Sequence, residues 1–492
     1  MRALLLLTSL LAVASACGGG APPATKTAPQ TPPAAPLADG DAPDGAAPAA
    51  PALPTTATDP SAEDTLRWFL TSLAAGPLSL AEVEARFSST FLQQVPASQV
   101  VQIFTALQQQ LPPVSVTKQE GKAPLELSAW LTTKAGGMRV DIVMSATTPR
   151  KIDGLLIKPV ATAAPPRSYQ EAVDRLAKTG EKHQVYVAKL DRGACSPVFR
   201  SGGEQRLAIA STSKLWVLLA LDEKLRKDKT LTWDKKLPIR DESKSLPSGI
   251  MQDVAAGTEY TLREYATQMI SISDNTATDH LIEFIGDAGL ARALSLAKHG
   301  APAMHLPYLR TRDLFGLKIS ATAEELAAYR KATVAAKRKL LAELRQRPID
   351  LAAAVAAWTA PRALDLEWFA SGPEVCRTLA ALAARGELDP QSELLAALGK
   401  GQGVDLDRSQ WRYVGFKGGS EPGVIYLAYL LQRTDGAWFV AIVGVNDATR
   451  NLDEGEIISA ATGVLSVLGT PAAPAGPAAP AVPAGPAASK TP

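Results

Sequence analysis

The stretch Arg206-Leu-Ala-Ile-Ala-Ser-Thr-Ser-Lys-Leu-Trp-Val-Leu-Leu-Ala-Leu221 is the most informative part of this 492-residue chain. A short polar turn leads into a nearly unbroken apolar run, which predicts a buried helix with Ser211 at its N-terminus. Lys214 lies three residues further on, so its amine is expected on the same face as the Ser211 hydroxyl. A serine at a helix start is also a common N-cap, and that is the alternative interpretation. The first-turn N–H groups and the helix dipole would equally favour an oxyanion that develops at Ser211.

Two further motifs follow Ser211. Ser273-Asp-Asn275 begins 62 residues later, in a segment whose simpler interpretation is a capped helix start. Lys417-Gly-Gly419 follows a strand-like run and, taken alone, is also compatible with a hairpin that has glycines at its turn. Together the three motifs contain a nucleophile, a lysine to take its proton, a second serine to relay protons and a lysine on an edge strand.

This set of motifs resembles the serine β-lactamases and penicillin-binding proteins, and is closest to their class A β-lactamase-like branch. The resemblance implies that Ser211 attacks an amide carbonyl, that Lys214 takes its proton and that Ser273 passes a proton to the leaving nitrogen. It implies substrate binding by Asn275, Lys417, Gly419 and Ser420, with the N–H groups of Ser211 and Ser420 as the oxyanion hole. The implied substrate is a small-molecule β-lactam or a peptidoglycan-like compound, and no cofactor is implied.

Position 418 departs from the family pattern, which has Lys-Thr-Gly or Lys-Ser-Gly on this strand. Here Gly418 replaces the hydroxyl residue. Because that hydroxyl normally helps to hold the substrate carboxylate, the carboxylate affinity of this site is open, with Ser420 as a partial substitute.

The base for deacylation is a second open point. The interval between Asn275 and Lys417 is longer than the family needs, and the extra length fits residues 320–358, where helix-forming residues dominate with helical spacing. Glu367 lies where an active-site loop would pass and is the candidate base, although the usual Glu-x-x-x-Asn is missing. The alternative is a solvated loop carboxylate. Without a base, the acyl-enzyme would be long-lived and the protein would behave as a weak β-lactamase or a penicillin-binding protein.

The predicted fold class is α+β with two domains. Residues 168–468 are expected to form a β-lactamase/transpeptidase-like domain, in which N- and C-terminal strands share one antiparallel sheet around an all-helical block. Residues 63–160 read as amphipathic helices followed by a strand meander. That pattern resembles the NTF2 or steroid-isomerase-like fold, and a similar pair of domains occurs in a serine hydrolase associated with clavulanic acid biosynthesis. A spacer or docking role is expected for this smaller domain, and ligand binding in the pocket typical of that fold is the alternative.

The ends of the chain predict where the protein acts. Residues 1–17 form a lipoprotein-type signal peptide by resemblance, with Cys17 lipidated, and cleavage by an ordinary signal peptidase is the alternative. Residues 18–62 are an Ala/Pro-rich linker, and residues 469–492 are expected to be a disordered Ala/Pro-rich tail. We therefore expect an extracytoplasmic lipoprotein, anchored to a bacterial membrane by its lipid and facing the periplasm or the cell exterior, as a monomer.

The remaining composition narrows the partners and ligands. Cys195 and Cys376 are expected to be free buried thiols, with a disulfide between them as the alternative in an oxidising compartment. The four histidines lack metal-ligand spacing, so no metal site is predicted. A net charge of +2 makes no electrostatic case for nucleic acid.

Three functions follow. A β-lactamase comes first, then a D-Ala-D-Ala carboxypeptidase, peptidase or esterase of the same fold, and then a catalytically weak cell-wall-binding lipoprotein.

Overall fold

A computed structural model describes residues 59–470, except for residues 135, 162, 192, 246–247, 348–357, 402 and 405. The expected signal peptide with Cys17, nearly all of the linker and the tail from residue 471 lie outside the described residues. Within them, no helix is long and apolar enough to cross a membrane.

The N-terminal region packs helices against one antiparallel sheet. Its elements are α1 Ala62–Ala74, α2 Leu80–Arg86, α3 Ser89–Gln94, α4 Ala97–Gln110, β1 Val114–Lys122, β2 Glu126–Thr133, β3 Gly136–Met144 and β4 Ile152–Pro159. The strands pair in the order β1-β2-β3-β4. Residues of β2 alternate between buried and more exposed positions, so that Leu127, Ala129 and Leu131 meet Phe69 and Phe104 of the helices in one core. The predicted helix-plus-meander layer is confirmed, and the likeness to the NTF2 fold stays a prediction.

The C-terminal region begins with α5 and ends with α15. Its first half contains α5 Tyr169–Leu176, β5 Lys182–Asp191, β6 Ala194–Ser201, β7 Leu207–Ala208, α6 Lys214–Lys227, β8 Lys236–Pro238, β9 Glu259–Thr261, α7 Leu262–Ser271, α8 Asn275–Ile285 and α9 Asp287–Leu296. The second half contains α10 Thr311–Phe315, α11 Ala323–Lys331, α12 Val334–Arg345, β10 Phe369–Ala370, α13 Gly372–Arg385, α14 Glu393–Gly399, β11 Trp411–Glu421, β12 Val424–Arg433, β13 Trp438–Asn446 and α15 Glu454–Gly469.

One five-stranded antiparallel sheet joins the two ends of this region, as expected. Its strand order is β11-β12-β13-β5-β6, so strands from the beginning and the end of the region lie side by side. Helices α5 and α15 cover one face of the sheet. The helical block covers the other face, and its central helix α6 is buried from Lys214 to Glu223, with Trp216 and Leu218 in the main core. The strand β11, which carries Lys417, is an edge of the sheet.

A disulfide corrects the expectation of two free thiols. Cys195 on β6 and Cys376 on α13 are bonded, with Cα atoms 6.4 Å apart. The pairing arises because α13 packs across β5 and β6, which brings two positions separated by 181 residues into contact. The sequence interval does not reveal this packing.

The described part of the extra length, residues 320–347, is mainly helical, as predicted. A π-helical turn at Gly316–Ser320 leads into α11 and α12, each of which is capped by a threonine at its start. The described chain resumes at Trp358 and approaches β10 as a loop.

Candidate active site

Ser211 lies in a single 3₁₀ turn, Ala210–Ser213, between β7 and α6. The prediction of a serine at the start of the helix is therefore shifted by one turn, since α6 begins at Lys214. No side-chain capping bond is present at this turn, so the N-cap interpretation is wrong. Side chains three residues apart eclipse each other in a 3₁₀ turn, which keeps Ser211 and Lys214 on one side of the backbone. Ala210 has a φ of 43°, a left-handed conformation that alanine rarely adopts.

Lys214 is 1% exposed, and its ammonium points at the second motif. Its Nζ donates to Ser273 Oγ at 2.9 Å, to Ser273 O at 2.5 Å and to Asn275 Oδ1 at 2.7 Å. Burial lowers the pKa of Lys214 to about 7, although the charges of Asp274 and Asp279 oppose the shift. A lysine with this pKa is substantially neutral near pH 7 and can accept a proton.

Ser273 joins the two lysines of the site. Its Oγ also accepts a hydrogen bond from Lys417 Nζ at 3.0 Å, and Lys417 donates in addition to Gly418 O at 2.5 Å. Burial, and then the charge of Lys214, hold the pKa of Lys417 well below its ordinary value. Because both lysines donate to the Ser273 oxygen, the Ser273 hydroxyl proton remains available for a third partner.

The loop that carries Ser273 is fixed from behind by Asp274. The Asp274 carboxylate accepts backbone N–H bonds from Ile250, Met251 and Ala277, at 2.7, 2.9 and 2.7 Å respectively. A Cβ at Gly249 would lie 2.1 Å from Asp274 Oδ2, so only glycine fits there. Ser273 itself has a φ of 59°, which this network maintains.

The edge strand β11 runs directly against the Ser211 turn. A Cβ at Gly419 would lie 2.1 Å from Ile209 O and 2.7 Å from Ser211 N, so any larger residue would push the strand away. Glycines 418 and 419 are part of the strand, and the hairpin turn comes later, between Glu421 and Val424. The interpretation of these glycines as a turn is wrong.

The aromatic ring of Phe416 occupies the space beside Gly418. A Cβ at Gly418 would lie 2.7 Å from Phe416 Cζ and 3.5 Å from Leu427 Cδ2. Phe416 also packs against Tyr429, with ring centroids 4.7 Å apart. The missing hydroxyl at position 418 is thus replaced by an apolar surface.

Ser211, Ser273 and Lys417 share one cavity with a volume of about 150 Å³. Gly419 and Ser420 also line it, whereas Lys214 and Asn275 are buried behind its surface. The structure therefore brings together Ser211, Lys214, Ser273, Asn275, Lys417, Gly419 and Ser420.

Glu367 does not belong to this cavity, and the structure does not support its prediction as the deacylation base. Its carboxylate accepts a hydrogen bond from Lys318 Nζ at 2.9 Å, and Lys318 also bonds to Glu421. The side chains of Lys318 and Glu367 are fully buried. Because the Glu367 carboxylate is held in this ion pair, it is not available to bind and activate a water molecule for deacylation. The alternative of a solvated carboxylate is wrong as well, since Glu367 is 6% exposed.

Several cavity residues were missed by the sequence analysis. Leu156 and Lys158 come from β4 of the N-terminal region, and Glu454 and Ile458 come from α15. Nothing in the local sequence marks these four residues. Phe416 was detectable, because residues two apart on a strand share a face and Phe416 therefore flanks Gly418.

Metal chemistry has no obvious location in the described part of the chain. No group of three or more His, Cys, Asp or Glu side chains there is arranged to hold a metal ion.

Two segments of the chain match known protein families. Residues 167–349 match a family described as the beta-lactamase enzyme family, and residues 57–147 match one described as ORF 12 gene product N-terminal. A comparison with curated protein sequences finds no match.

Solved structures provide distant neighbours. A β-lactamase from Sphaerobacter thermophilus is 18% identical, covers 61% of this chain and 96% of its own, and has a TM-score of 0.41. A mutant of PBP-A in an acyl-enzyme complex with penicillin G is 20% identical, with coverage of 61% and 97% and a TM-score of 0.40. The TLA-3 extended-spectrum β-lactamase is 17% identical, with coverage of 61% and 98% and a TM-score of 0.41.

Proposed function

We propose that the C-terminal region, hereafter the catalytic region, opens β-lactam amides through an acyl-enzyme on Ser211, as a serine hydrolase similar to the beta-lactamase enzyme family that residues 167–349 match. The observation that carries this proposal is the shared contact of Lys214 and Lys417 with the Ser273 hydroxyl, in the cavity that contains Ser211. Two lysines around one serine hydroxyl connect a base at the nucleophile to an acid at the leaving group.

Acylation follows from these contacts. Ser211 Oγ forms a bond to the carbonyl carbon while its proton moves to Lys214 Nζ. The backbone N–H groups of Ser211 and Ser420 stabilise the oxyanion, each donor contributing about 3–4 kcal/mol. As the C–N bond breaks, Ser273 gives its hydroxyl proton to the leaving nitrogen. Lys214, which donates to Ser273 Oγ, then returns a proton to Ser273.

Intact-protein mass spectrometry over time with benzylpenicillin tests this proposal. We expect an adduct of one penicillin mass on the wild type and none on Ser211→Ala. An adduct that disappears while penicilloate accumulates identifies a β-lactamase. Labelling that survives in Ser211→Ala would exclude Ser211 as the nucleophile.

A penicillin-binding peptidase is the second candidate, and the Lys318–Glu367 ion pair favours it. With Glu367 held by Lys318, the residue expected to activate water for deacylation is occupied. A persistent adduct in the same experiment selects this candidate. The absence of any adduct selects an esterase or a weak wall-binding protein.

The proposed location is the outside of the cytoplasmic membrane, with the lipid on Cys17 as the anchor and a monomer as the working unit. The Cys195–Cys376 disulfide supports an oxidising compartment. Palmitate incorporation that depends on Cys17 would support lipidation, and cleavage insensitive to globomycin would count against it.

A further inference from the structure

The cavity around Ser211 has walls from both regions of the chain. Strand β4 supplies Leu156, Ile157, Lys158 and Pro159, although it belongs to the N-terminal sheet. Helix α15 lies between this sheet and the catalytic sheet, because it contacts β3 and β4 as well as β12 and β13. The N-terminal region therefore forms part of the substrate cavity, which goes beyond the expected spacer or docking role.

The wall next to Gly418 is predominantly apolar. Phe416 fills the space of a side chain at 418, and Leu427 lies behind it. Ile425 and Ile458 extend the same surface, and Leu156 of β4 faces the cavity with them. A substituent of the substrate that enters here loses water without gaining a hydroxyl partner at position 418, which disfavours an anion.

Charged groups are present at the edges of this wall. Glu454 begins α15 and lines the cavity, and its neighbour Asp453 caps the same helix. Burial, with the charge of Asp453, raises the pKa of Glu454 to about 7. The cations of the cavity are Lys158 and Lys417, and the latter already donates to Ser273 Oγ and Gly418 O. A substrate carboxylate would thus meet an acid together with two lysines that both already interact with other groups.

We propose that the surface formed by Phe416, Leu427, Ile458 and Leu156 is a subsite for an uncharged apolar substituent of the substrate, with β4 of the N-terminal region as its outer wall. The inference rests on the proposed function, since the substituent belongs to a compound that acylates Ser211. It narrows the substrate class to neutral amides or esters, in preference to compounds with a carboxylate beside the scissile bond.

The acylation rates of benzylpenicillin and its methyl ester test the preference, because the two compounds differ only by the methyl group that neutralises this carboxylate. We expect the methyl ester to acylate the wild type about tenfold faster than the free acid at pH 8, since a carboxylate is costlier to desolvate. Intact-protein mass spectrometry gives both rates. A free acid that reacts as fast as the ester, or faster, would overturn the proposal.

A pair of tryptophan variants tests the role of β4. Leu156→Trp fills the subsite and should reduce the acylation rate with the methyl ester by a factor of about five or more, within the range of overpacking effects. Val143→Trp is the matched control, because Val143 lies on the neighbouring strand β3 and is 40% exposed. Equal rates in the two variants, with unchanged melting temperatures, would exclude β4 as a wall of the subsite.

The variant Glu454→Gln shows how much of the discrimination against the substrate carboxylate comes from the charge of Glu454. In the wild type the ester-to-acid rate ratio should rise between pH 6 and pH 8, as Glu454 becomes negative. Titration of Lys214 affects both compounds equally and cancels in the ratio. The pH dependence that survives in Glu454→Gln belongs to Lys417, and an unchanged profile would remove Glu454 from the subsite.

Failure of the proposed function gives a different result. If neither compound acylates Ser211, the β-lactam proposal fails, and the subsite is judged by binding of the neutral dye Nile red. Its fluorescence should then fall in Leu156→Trp and stay unchanged in Val143→Trp. Equal fluorescence in both variants would overturn the subsite too.

Discussion

Lys214 and Lys417 are both buried and both donate to the Ser273 hydroxyl. Two positive charges this close, with little water, repel each other, so the pair releases a proton more easily than an isolated lysine. Burial, and then the charge of Lys214, lower the pKa of Lys417, whereas burial alone lowers the pKa of Lys214. Burial therefore lets Lys214 act as a general base near neutral pH.

The acylation rate should rise with pH through about 7, because only the neutral form of Lys214 can accept the Ser211 proton. Lys214→Ala should reduce the rate by about 10²–10⁴-fold, the usual contribution of a general base. Lys227→Ala, at the exposed end of the same helix, is the control and should leave the rate unchanged. The measurement is the rate of adduct formation between pH 5.5 and 8.5. A flat profile over that interval would contradict the base role of Lys214.

Glu367→Gln tests whether this residue activates water. Because its carboxylate is held by Lys318 outside the cavity, we expect Glu367→Gln to lower the unfolding free energy by about 3–5 kcal/mol, the cost of breaking a buried ion pair, and to leave the lifetime of the acyl-enzyme unchanged. Glu421→Gln is the matched variant, since Glu421 bonds to the same lysine. A lifetime at least about tenfold longer in Glu367→Gln alone would restore Glu367 as the base.

The catalytic region is held together by contacts between elements that lie far apart in the chain. Strand β11 approaches the Ser211 turn so closely that Gly419 cannot carry a side chain. On the opposite edge of the sheet, the disulfide ties β6 to α13. Between these edges, α6 carries Lys214 through the centre of the core, where its apolar surface fixes the position of the lysine.

Removal of the disulfide should destabilise the catalytic region without removing its chemistry. The cross-link closes a loop of 181 residues in sequence separation, for which the chain-entropy account gives about 5 kcal/mol as an upper figure. We expect the double variant Cys195→Ala, Cys376→Ala to lose about 2–5 kcal/mol of unfolding free energy in urea. At 25 °C its acylation rate should match the wild type. A rate that falls in parallel with stability would mean that the bond also positions the site.

The two regions of the molecule meet at Gly249, beside the loop that carries Ser273. Gln99 on α4 is 2% exposed, and its Nε2 donates to Gly249 O at 3.1 Å. Gly249 packs against Asp274, whose carboxylate also holds the N–H groups of Ile250 and Met251. The N-terminal region thereby contacts the support of Ser273, in addition to lining the cavity with β4.

Gln99→Met should slow acylation about three- to tenfold, the effect of one net hydrogen bond, because the support of Ser273 becomes less rigid. Gln108→Met is the matched control, since Gln108 on the same helix bonds only to Ser72 O and Gly76 O within its own region. Adduct formation and melting temperature are measured for both. Equal acylation rates in the two variants would show that the contact between regions is passive.

The three motifs were recognisable from the chain because the proposed acyl transfer demands particular residue types. Ser211, Lys214, Ser273 and Lys417 can do this work only as a hydroxyl, an amine, a second hydroxyl and a second amine. The helices and strands were equally readable, since the apolar run of α6 and the alternation of β2 are local patterns. Local patterns depend on neighbours along the chain, which the sequence contains.

The partners of side chains across the fold could not be read in this way. Glu367 has the residue type of a base, yet its pairing with Lys318 depends on how two distant segments pack. Cys195 and Cys376 meet only because α13 crosses the sheet. Leu156 and Glu454 join the cavity because α15 brings the two regions together. Contacts of this kind follow from long-range packing, in which the hydrophobic effect is non-directional and leaves no local signature. The sequence alone thus determined the residues of the three motifs, and long-range packing determined which surfaces surround them.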